Sequence, residues 1–404
     1  MGCALLSLGY AFSRMGWVIG AIILILFTLF ELVAYYRLVD VSHFEQVITL
    51  RKMMQNIFNK KVAYFLDFTF AFCNFGYLIV YVSIYADYMY TFIYNVTDGK
   101  EFKQLYLKLI IAPVLILFSL MRSMDAISRV SAFTIILIFI AVIAIVIYWV
   151  IFLARGETEL MKTVDGKVVD MTIPFPKFGD TAWPANKNGG YAFLEVIQRI
   201  PLYAPLYGAQ ASVPVMYHDL EGPPNLKREA MRKGSLYSII FSGILYMLAA
   251  FCSCTMFGTY LEGNVLMSFR ANNITFTIVR FLYTIVVLLS YIVIMYPVRS
   301  IILEWMHLDP STSKKGLVTF YVIGIVIVVI AVALSIAIPN IVTVIDFVAS
   351  IFGISLYWVT PILAIWVRPR AEARSTVPII DDDEEMGETV NKISRISLGA
   401  MVMD

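Results

Sequence analysis

The sequence predicts an all-α polytopic membrane protein with about ten membrane segments. Three observations carry this. The 404 residues are 60% hydrophobic and only 15% charged, where an average soluble domain is roughly 25% charged. The apolar residues fall in runs of about twenty, the length an α-helix needs to cross a bilayer. One such run, residues 200–220, is punctuated by Pro201, Pro205, Gly208, Gln210, Ser212 and Pro214. Three prolines remove three backbone donors and clash with the preceding turns. In hydrocarbon the released groups must find partners, so a helix broken there lines a cavity or is wrapped in protein. Secondary transporters use broken helices at membrane depth to offer carbonyls and half-helix ends to substrates and ions. A proline-kinked packing helix is the plainer alternative.

The remaining elements follow from the same reading. Residues 1–12 are a short apolar piece of small residues, too short to span, so the first helix is expected to be partial. A crossing at 16–36 precedes an amphipathic surface helix at 44–58. Residues 62–92 form a long span interrupted by Asn74 and Gly76, with a short loop at 94–97. Spans at 105–121 and 131–153 are joined by a link carrying Arg122 and Arg129. A long polar loop, 155–190, leads to the broken span. A hydrophilic link at 219–233 then precedes crossings at 235–259, 274–302, 317–337 and 342–367. The set makes one partial and nine complete crossings in a transmembrane domain of residues 1–367. Residues 368–404 carry the acidic run Asp381 to Glu385 and read as a disordered cytosolic tail.

Lysine and arginine in the short loops set the orientation. Arg51, Lys52, Lys60, Lys61, Arg122, Arg129, Lys227, Arg228, Arg232, Lys233, Lys314, Lys315, Arg368 and Arg370 all fall on one side, which is therefore the cytosol. The sequons at Asn95 and Asn273 both fall on the other side, as glycosylation requires. The partial first element and the broken sixth each head a run of five, in opposite directions. That is the topology of a five-plus-five inverted repeat, with the site expected at the repeat interface.

Candidate chemistry sits in the interrupted segments. Around Gly2 to Leu6 the backbone is expected to unwind, so that Cys3, Ala4, Leu5 and Leu6 present amides to a carboxylate at a half-helix N-terminus. A small-residue packing face is the alternative. In the broken span Tyr207, Gly208 and Gln210 are best placed to offer backbone and side-chain groups, with an interhelical hydrogen bond as the alternative for Gln210. Asn74 is a similar buried amide. Ser290 offers a hydroxyl that could join a sodium site, against a self-bonded packing serine. Glu31, Asp67, Asp87 and Arg280 are expected to snorkel to the interfaces, leaving no acid at the membrane centre. Asp346 is expected near the outer end of the last span. His43, His218 and His307 read as interfacial. Four cysteines show no metal-ligand spacing. No secretory signal, catalytic motif or nucleic-acid signature is present. The chain is read as a non-enzyme with no cofactor, no nucleic acid and no required protein partner.

At these residues the sequence resembles the amino acid/auxin permease family, which includes sodium-coupled neutral and vacuolar amino acid transporters. Residues 2–12 with Gly16-Trp17 resemble its first-helix signature, although Ala4 and Gly9 depart from it. Residues 214–220, PVMYHDL, resemble the close of its sixth helix, and residues 296–299, YPVR, that of its eighth. Residues 337–340, AIPN, match its late pattern. The resemblance covers residues 1–367. It implies a leucine-transporter-like fold entered partway through its first helix. It also implies alternating-access symport of amino acids with Na+ or H+, in a plasma or vacuolar/lysosomal membrane. By that analogy the backbone of Cys3 to Leu6 and of Tyr207 to Gln210 holds the substrate, and Ser290 stands at a sodium position. An amino acid sensor on the same fold is the alternative function.

Overall fold

Long apolar runs with few charges have one way to satisfy their backbone without water, and that is to pair it internally as helix. The computed structural model accordingly is mostly helical. It describes residues 2–45, 50–57, 59–97, 103–120, 124–164, 167–184, 189–208, 210–308, 313–338 and 340–353. In order these form α1 (Gly2–Met15), α2 (Trp17–Glu45), α3 (Leu50–Ile57), α4 (Lys60–Val96), α5 (Gln104–Ser119) and α6 (Met124–Arg155). A hairpin of β1 (Glu157–Val164) and β2 (Lys167–Pro174) comes next, then α7 (Gly189–Arg199). The chain continues through 3-10 turns to α8 (Val213–Asp219), α9 (Pro224–Phe257), α10 (Ile274–Trp305), α11 (Lys314–Ala337) and α12 (Ile341–Val348).

Six of the described helices are long and apolar enough to cross a membrane, in α2, α4, α6, α9, α10 and α11. Gln104–Ser119 and Ile341–Gly353 are shorter apolar helices. The expected last span is described only as far as Gly353, where α12 passes into a π turn at Ala349–Gly353. The rest of it, and the tail at 368–404, lie outside the described residues.

Several boundaries differ from expectation for physical reasons. Of the expected surface helix at 44–58, residues 44–45 close the described run of α2, residues 46–49 and 58 lie outside the described residues, and residues 50–57 form α3, which buries Leu50, Arg51, Met53 and Met54. Its amphipathic pattern therefore serves a protein face. The expected loop at 94–97 is helical as far as Val96, since Asn95 finds partners without leaving the helix. The polar 155–190 segment is no irregular loop. Its strands pair antiparallel from Glu157 opposite Pro174 to Val164 opposite Lys167. Arg270 draws on both strands, 3.3 Å from Glu159 and 3.4 Å from Asp170.

Contacts divide the described residues into two units. The first comprises residues 1–24, 70–206 and 244–353. Here α10 packs on α6, α11 on α5, and α1 on α7. Between α10 and α6, the Tyr148 hydroxyl donates to Asn273 Oδ1 at 3.0 Å, with its ring 4.9 Å from that of Phe276. Between α11 and α5, Gly324 leaves room for Ser119, whose Oγ would lie 3.2 Å from an added Cβ. Gly16, at φ +83°, turns the chain between α1 and α2. A helix start leaves its first N–H groups without partners. Here Trp17 N donates to Thr181 O at 3.0 Å and Val18 N to Ala182 O at 3.3 Å, while Trp17 Nε1 reaches Phe178 O at 3.1 Å.

The second unit comprises residues 25–69 and 207–243, together with the undescribed 354–404. At one end Asp40 is buried and accepts from Arg228 Nε at 3.1 Å and from Arg232. His43 Nδ1 shares a 2.7 Å hydrogen bond with the Tyr217 hydroxyl. Arg51 and Asp67 pair at 3.0 Å, and the Arg51 guanidinium lies over Tyr64.

The left-handed turn at Gly16 yields a direct prediction. A Cβ there would meet Ala182 O at 2.5 Å, and left-handed backbone costs a side-chain-bearing residue about 1–2 kcal/mol before any clash. Gly16→Val is expected to lower the detergent melting temperature clearly. Gly234→Ala, with open space around it, is expected to leave it level or slightly raised. Thermal unfolding of the two purified variants checks the contrast.

Candidate functional site

The broken span is broken in fact. From Ile200 to Ser212 the chain runs as two 3-10 pieces, Ile200–Tyr207 and Gln210–Ser212, before α8 begins. Pro205 lies inside the first piece, and Pro214 sits in the first turn of α8, where its missing donor costs nothing. A stretch outside regular helix exposes carbonyls that need donors.

Within the first unit, the early part of this stretch is held by tyrosines. The Tyr246 hydroxyl donates to Leu206 O at 2.7 Å, and the Tyr203 hydroxyl donates to Gly20 O at 3.2 Å. Tyr203 stacks on Phe12 at 6.5 Å. Gly20 lets that ring approach, since a Cβ would lie 2.7 Å from Phe12.

Within the second unit, the later part faces a polar stripe on α2. Thr28, Glu31 and Tyr35 stand at i, i+3 and i+7, one helical face in a helix otherwise apolar around them. Each has a separate task. Thr28 Oγ1 bonds the Tyr207 hydroxyl at 2.8 Å. The Tyr35 hydroxyl donates to Tyr207 O at 3.1 Å. Gln210 Nε2 donates to Glu31 Oε2. Glu31 and Gln210 are both fully buried. Gly243 of α9 leaves space beside them, for a Cβ there would lie 3.0 Å from the Tyr207 hydroxyl.

These contacts correct the expected snorkelling. Glu31 is at the midpoint of α2, buried and bonded to a neighbouring segment. Asp67 is buried in its pair with Arg51. Arg280 is fully buried and donates through Nε to Leu266 O at 2.9 Å and through Nη2 to Phe269 O. Asp87, half-buried, accepts from Gln104 at 3.1 Å. Asp346 pairs with Arg199 at 2.7 Å. His43 is buried, where an interfacial position was expected. In each case a partner within the protein removes the need to reach water.

The expected site residues are placed as follows. Gly2 to Leu6 are continuous α-helix, so the expected unwinding is not seen. Ala4, Leu5 and Leu6 are buried, and Ser7 Oγ donates back to Ala4 O at 3.3 Å. Cys3 lies in the same helix. Asn74 is buried in α4 and donates to Phe70 O at 2.8 Å, one turn back in its own helix. Ser290 is half-buried on α10. Tyr207 and Gln210 belong to the polar cluster just described, and Gly208 lies between the two 3-10 pieces. Asn95 Nδ2, the atom a glycan would occupy, donates to Thr277 Oγ1 at 2.8 Å and to Ala271 O. Asn273 caps α10 by accepting from Phe276 N at 3.2 Å.

Sequence reasoning missed Thr28 and Tyr35, and it sent Glu31 to the interface. Their i, i+3, i+7 spacing within an apolar span was the available signal. Among the described residues no cluster of three or more His, Cys, Asp or Glu side chains could hold a metal.

Removing one donor tests the accounting. Tyr35→Phe removes the hydroxyl that donates to Tyr207 O, and a hydrogen bond of this kind contributes about 0.5–1.5 kcal/mol net. The variant is expected to melt at lower temperature in detergent. Tyr237→Phe, whose side chain is 70% exposed on α9, is expected to match the parent in the same assay.

The comparisons with known proteins agree with this architecture. The family described as transmembrane amino acid transporter protein matches residues 1–367, which include every described helix. The chain is 23% identical over 341 residues to Lysine histidine transporter-like 4 of Arabidopsis thaliana, covering 77% of this chain and 66% of that protein. It is 22% identical over 394 residues to Lysine histidine transporter-like 3 of the same plant, covering 91% and 78%. With a match of that extent over a chain of this helical build, the protein belongs to the transmembrane amino acid transporter family and is a transporter rather than an enzyme.

Proposed function

We propose that the chain is a secondary active transporter that moves amino acids across a membrane by alternating access, as a symporter coupled to Na+ or H+. The observation that carries this is the broken segment Ile200–Ser212, whose irregular backbone is upheld by dedicated polar side chains inside a strongly apolar protein. Irregular backbone at membrane depth persists where it lines a binding cavity or is buried in protein. In the second unit, carbonyls near Tyr207 and Gly208 are candidates for the amino group of an amino acid, with Gln210 as a polar side chain; in the first unit, the backbone of Cys3, Ala4, Leu5 and Leu6 at the start of α1 is a candidate for a carboxylate. Asn74 and Ser290 are candidates for substrate and Na+ respectively. A five-plus-five inverted repeat on a leucine-transporter-like fold is the architecture that suits this. Residues 1–367 act as the transport domain and 368–404 as a cytosolic tail. The sequons permit glycosylation of Asn95 and Asn273 in a plasma or vacuolar membrane. It would compete with the hydrogen bonds that Asn95 makes.

The relatives' names point to lysine and histidine as the first substrates to try. Counterflow of a labelled mixture of the protein amino acids, and of labelled lysine and histidine separately, is expected in proteoliposomes holding this chain. Gly208→Leu and Gln210→Ala are each expected to reduce counterflow at least about tenfold, equivalent to ~1.4 kcal/mol. Unchanged rates in both variants would sink the site assignment. Saturable binding with no flux would favour the amino acid sensor.

A further inference from the structure

We propose that Glu31 is the proton-binding site of this transporter, its carboxyl group taking up and releasing one proton per transport cycle while bonded to Gln210 of the broken segment. The inference rests on the transport reading above and names its coupling ion as H+.

Four observations lead there. Glu31 lies at the midpoint of a 29-residue helix, as far from either end as the helix allows. Its side chain is fully buried. An ionisable side chain inside a membrane helix marks an ion or proton path unless it is paired with an opposite charge. Among the described residues Glu31 makes no ion pair. Its contact is the neutral amide of Gln210, and its second oxygen, Oε1, is buried with no hydrogen-bond partner. Every other described acid on α2 or α4 that is buried has a cation: Asp40 has Arg228 and Arg232, and Asp67 has Arg51.

Among the described residues the surroundings are otherwise neutral. From the broken segment the titratable group is Tyr207, and from α2 itself it is Tyr35. From α9 the facing position is Gly243, which brings no charge. Of the charges on α9, Arg228 and Arg232 are held at Asp40, Lys233 pairs with Glu229 at 2.6 Å, and Lys227 donates to His218 O. Asp40 lies nine residues further along α2, roughly 13 Å by helix rise.

Gln210 suits both states of the acid. Toward a carboxylate its Nε2 donates, as seen. Toward a protonated acid the amide turns over, and its oxygen accepts the new O–H. Uptake adds one H+ to the carboxylate from the side the site faces. Release returns the same H+ to the opposite side, so the residue is unchanged over a cycle. The exchange of donor for acceptor at Gln210 reaches directly into the broken segment. Protonation and the shape of the substrate site are thereby linked.

The test uses proteoliposomes with the membrane potential clamped and a labelled mixture of the protein amino acids. An inward gradient of one pH unit can sustain at most about tenfold accumulation at one proton per substrate. Wild type is expected to accumulate label under this gradient, with matching proton influx, and to do so in the absence of Na+. In Glu31→Gln the ratio of gradient-driven uptake to counterflow is expected to fall to the undriven value, and the pH profile of the remaining counterflow to flatten. Glu31→Asp is expected to recover both in part. A merely structural residue would lower uptake and counterflow together and leave the pH profile alone.

A wild-type ratio and profile in Glu31→Gln would overturn the proposal and leave the transport reading standing. So would wild-type accumulation driven by Na+ alone. Absence of counterflow in wild type would instead overturn the transport reading, and this inference with it. If Glu31→Gln does not fold, infrared difference spectra of wild type at stepped pH decide the matter. A carboxylic-acid band that titrates and shifts in Glu31→Asp is expected, and its absence overturns the assignment.

Discussion

A polypeptide in hydrocarbon cannot leave a backbone group without a partner, and the architecture described here depends on that constraint. Where the chain is regular helix the constraint is met within the segment. Where it is not, side chains are brought in by name. Tyr246 serves Leu206 O, and Tyr35 serves Tyr207 O. The start of α2 leans on Thr181 and Ala182. Each of these departures from helix is matched by a polar side chain or a loop carbonyl, and an apolar substitution of a side-chain partner removes what permits the departure.

The same constraint explains the buried cations. Lys108 donates to Ser335 O near the end of α11, and Arg299 donates to Ser119 O at the end of α5. The last carbonyls of a helix have no partner of their own and carry the negative end of its dipole. A long cationic side chain supplies both a donor and a charge of the right sign. Arg280 does this for the link before α10, taking up carbonyls of Leu266 and Phe269. Arg299 also lies over Phe320, its guanidinium carbon 3.5 Å from the ring centroid, where cation and aromatic face attract. These residues act as caps joined through the interior, and their charge is part of the helix ends they close.

Much of this was legible in the sequence. Runs of apolar residues located α2, α4, α6, α9, α10 and α11, because a bilayer-length helix has a period and a length that composition cannot hide. Proline spacing located the break at 200–212, because the missing donors are a property of the residue itself. Partners were the harder part. Glu31, Arg280 and Asp67 looked close enough to helix ends to reach water, and what decides their burial is the neighbour across the gap, many residues distant in sequence. The hairpin at 157–174 was hidden for a similar reason, as its pairing depends on Arg270 and Phe269 from another segment. Helix at Gly2 to Leu6 replaced the expected unwinding because small residues permit unwinding without requiring it.

The Asp40 cluster carries a consequence for how such a sequence can drift. Asp40 is 1% exposed, while its partners Arg228 and Arg232 are 15% and 35% exposed. Loss of either arginine leaves the acid one cation and leaves an exposed or half-exposed neighbour to water. Loss of the acid leaves two cations facing each other one helical turn apart, with no anion between them. Neutral variation over generations should therefore gather at position 232, pass with more difficulty through 228, and be nearly closed at 40 unless an acid arises nearby first. A lineage in which Asp40 has changed would be expected to record the order of events, with the replacement acid older than the loss.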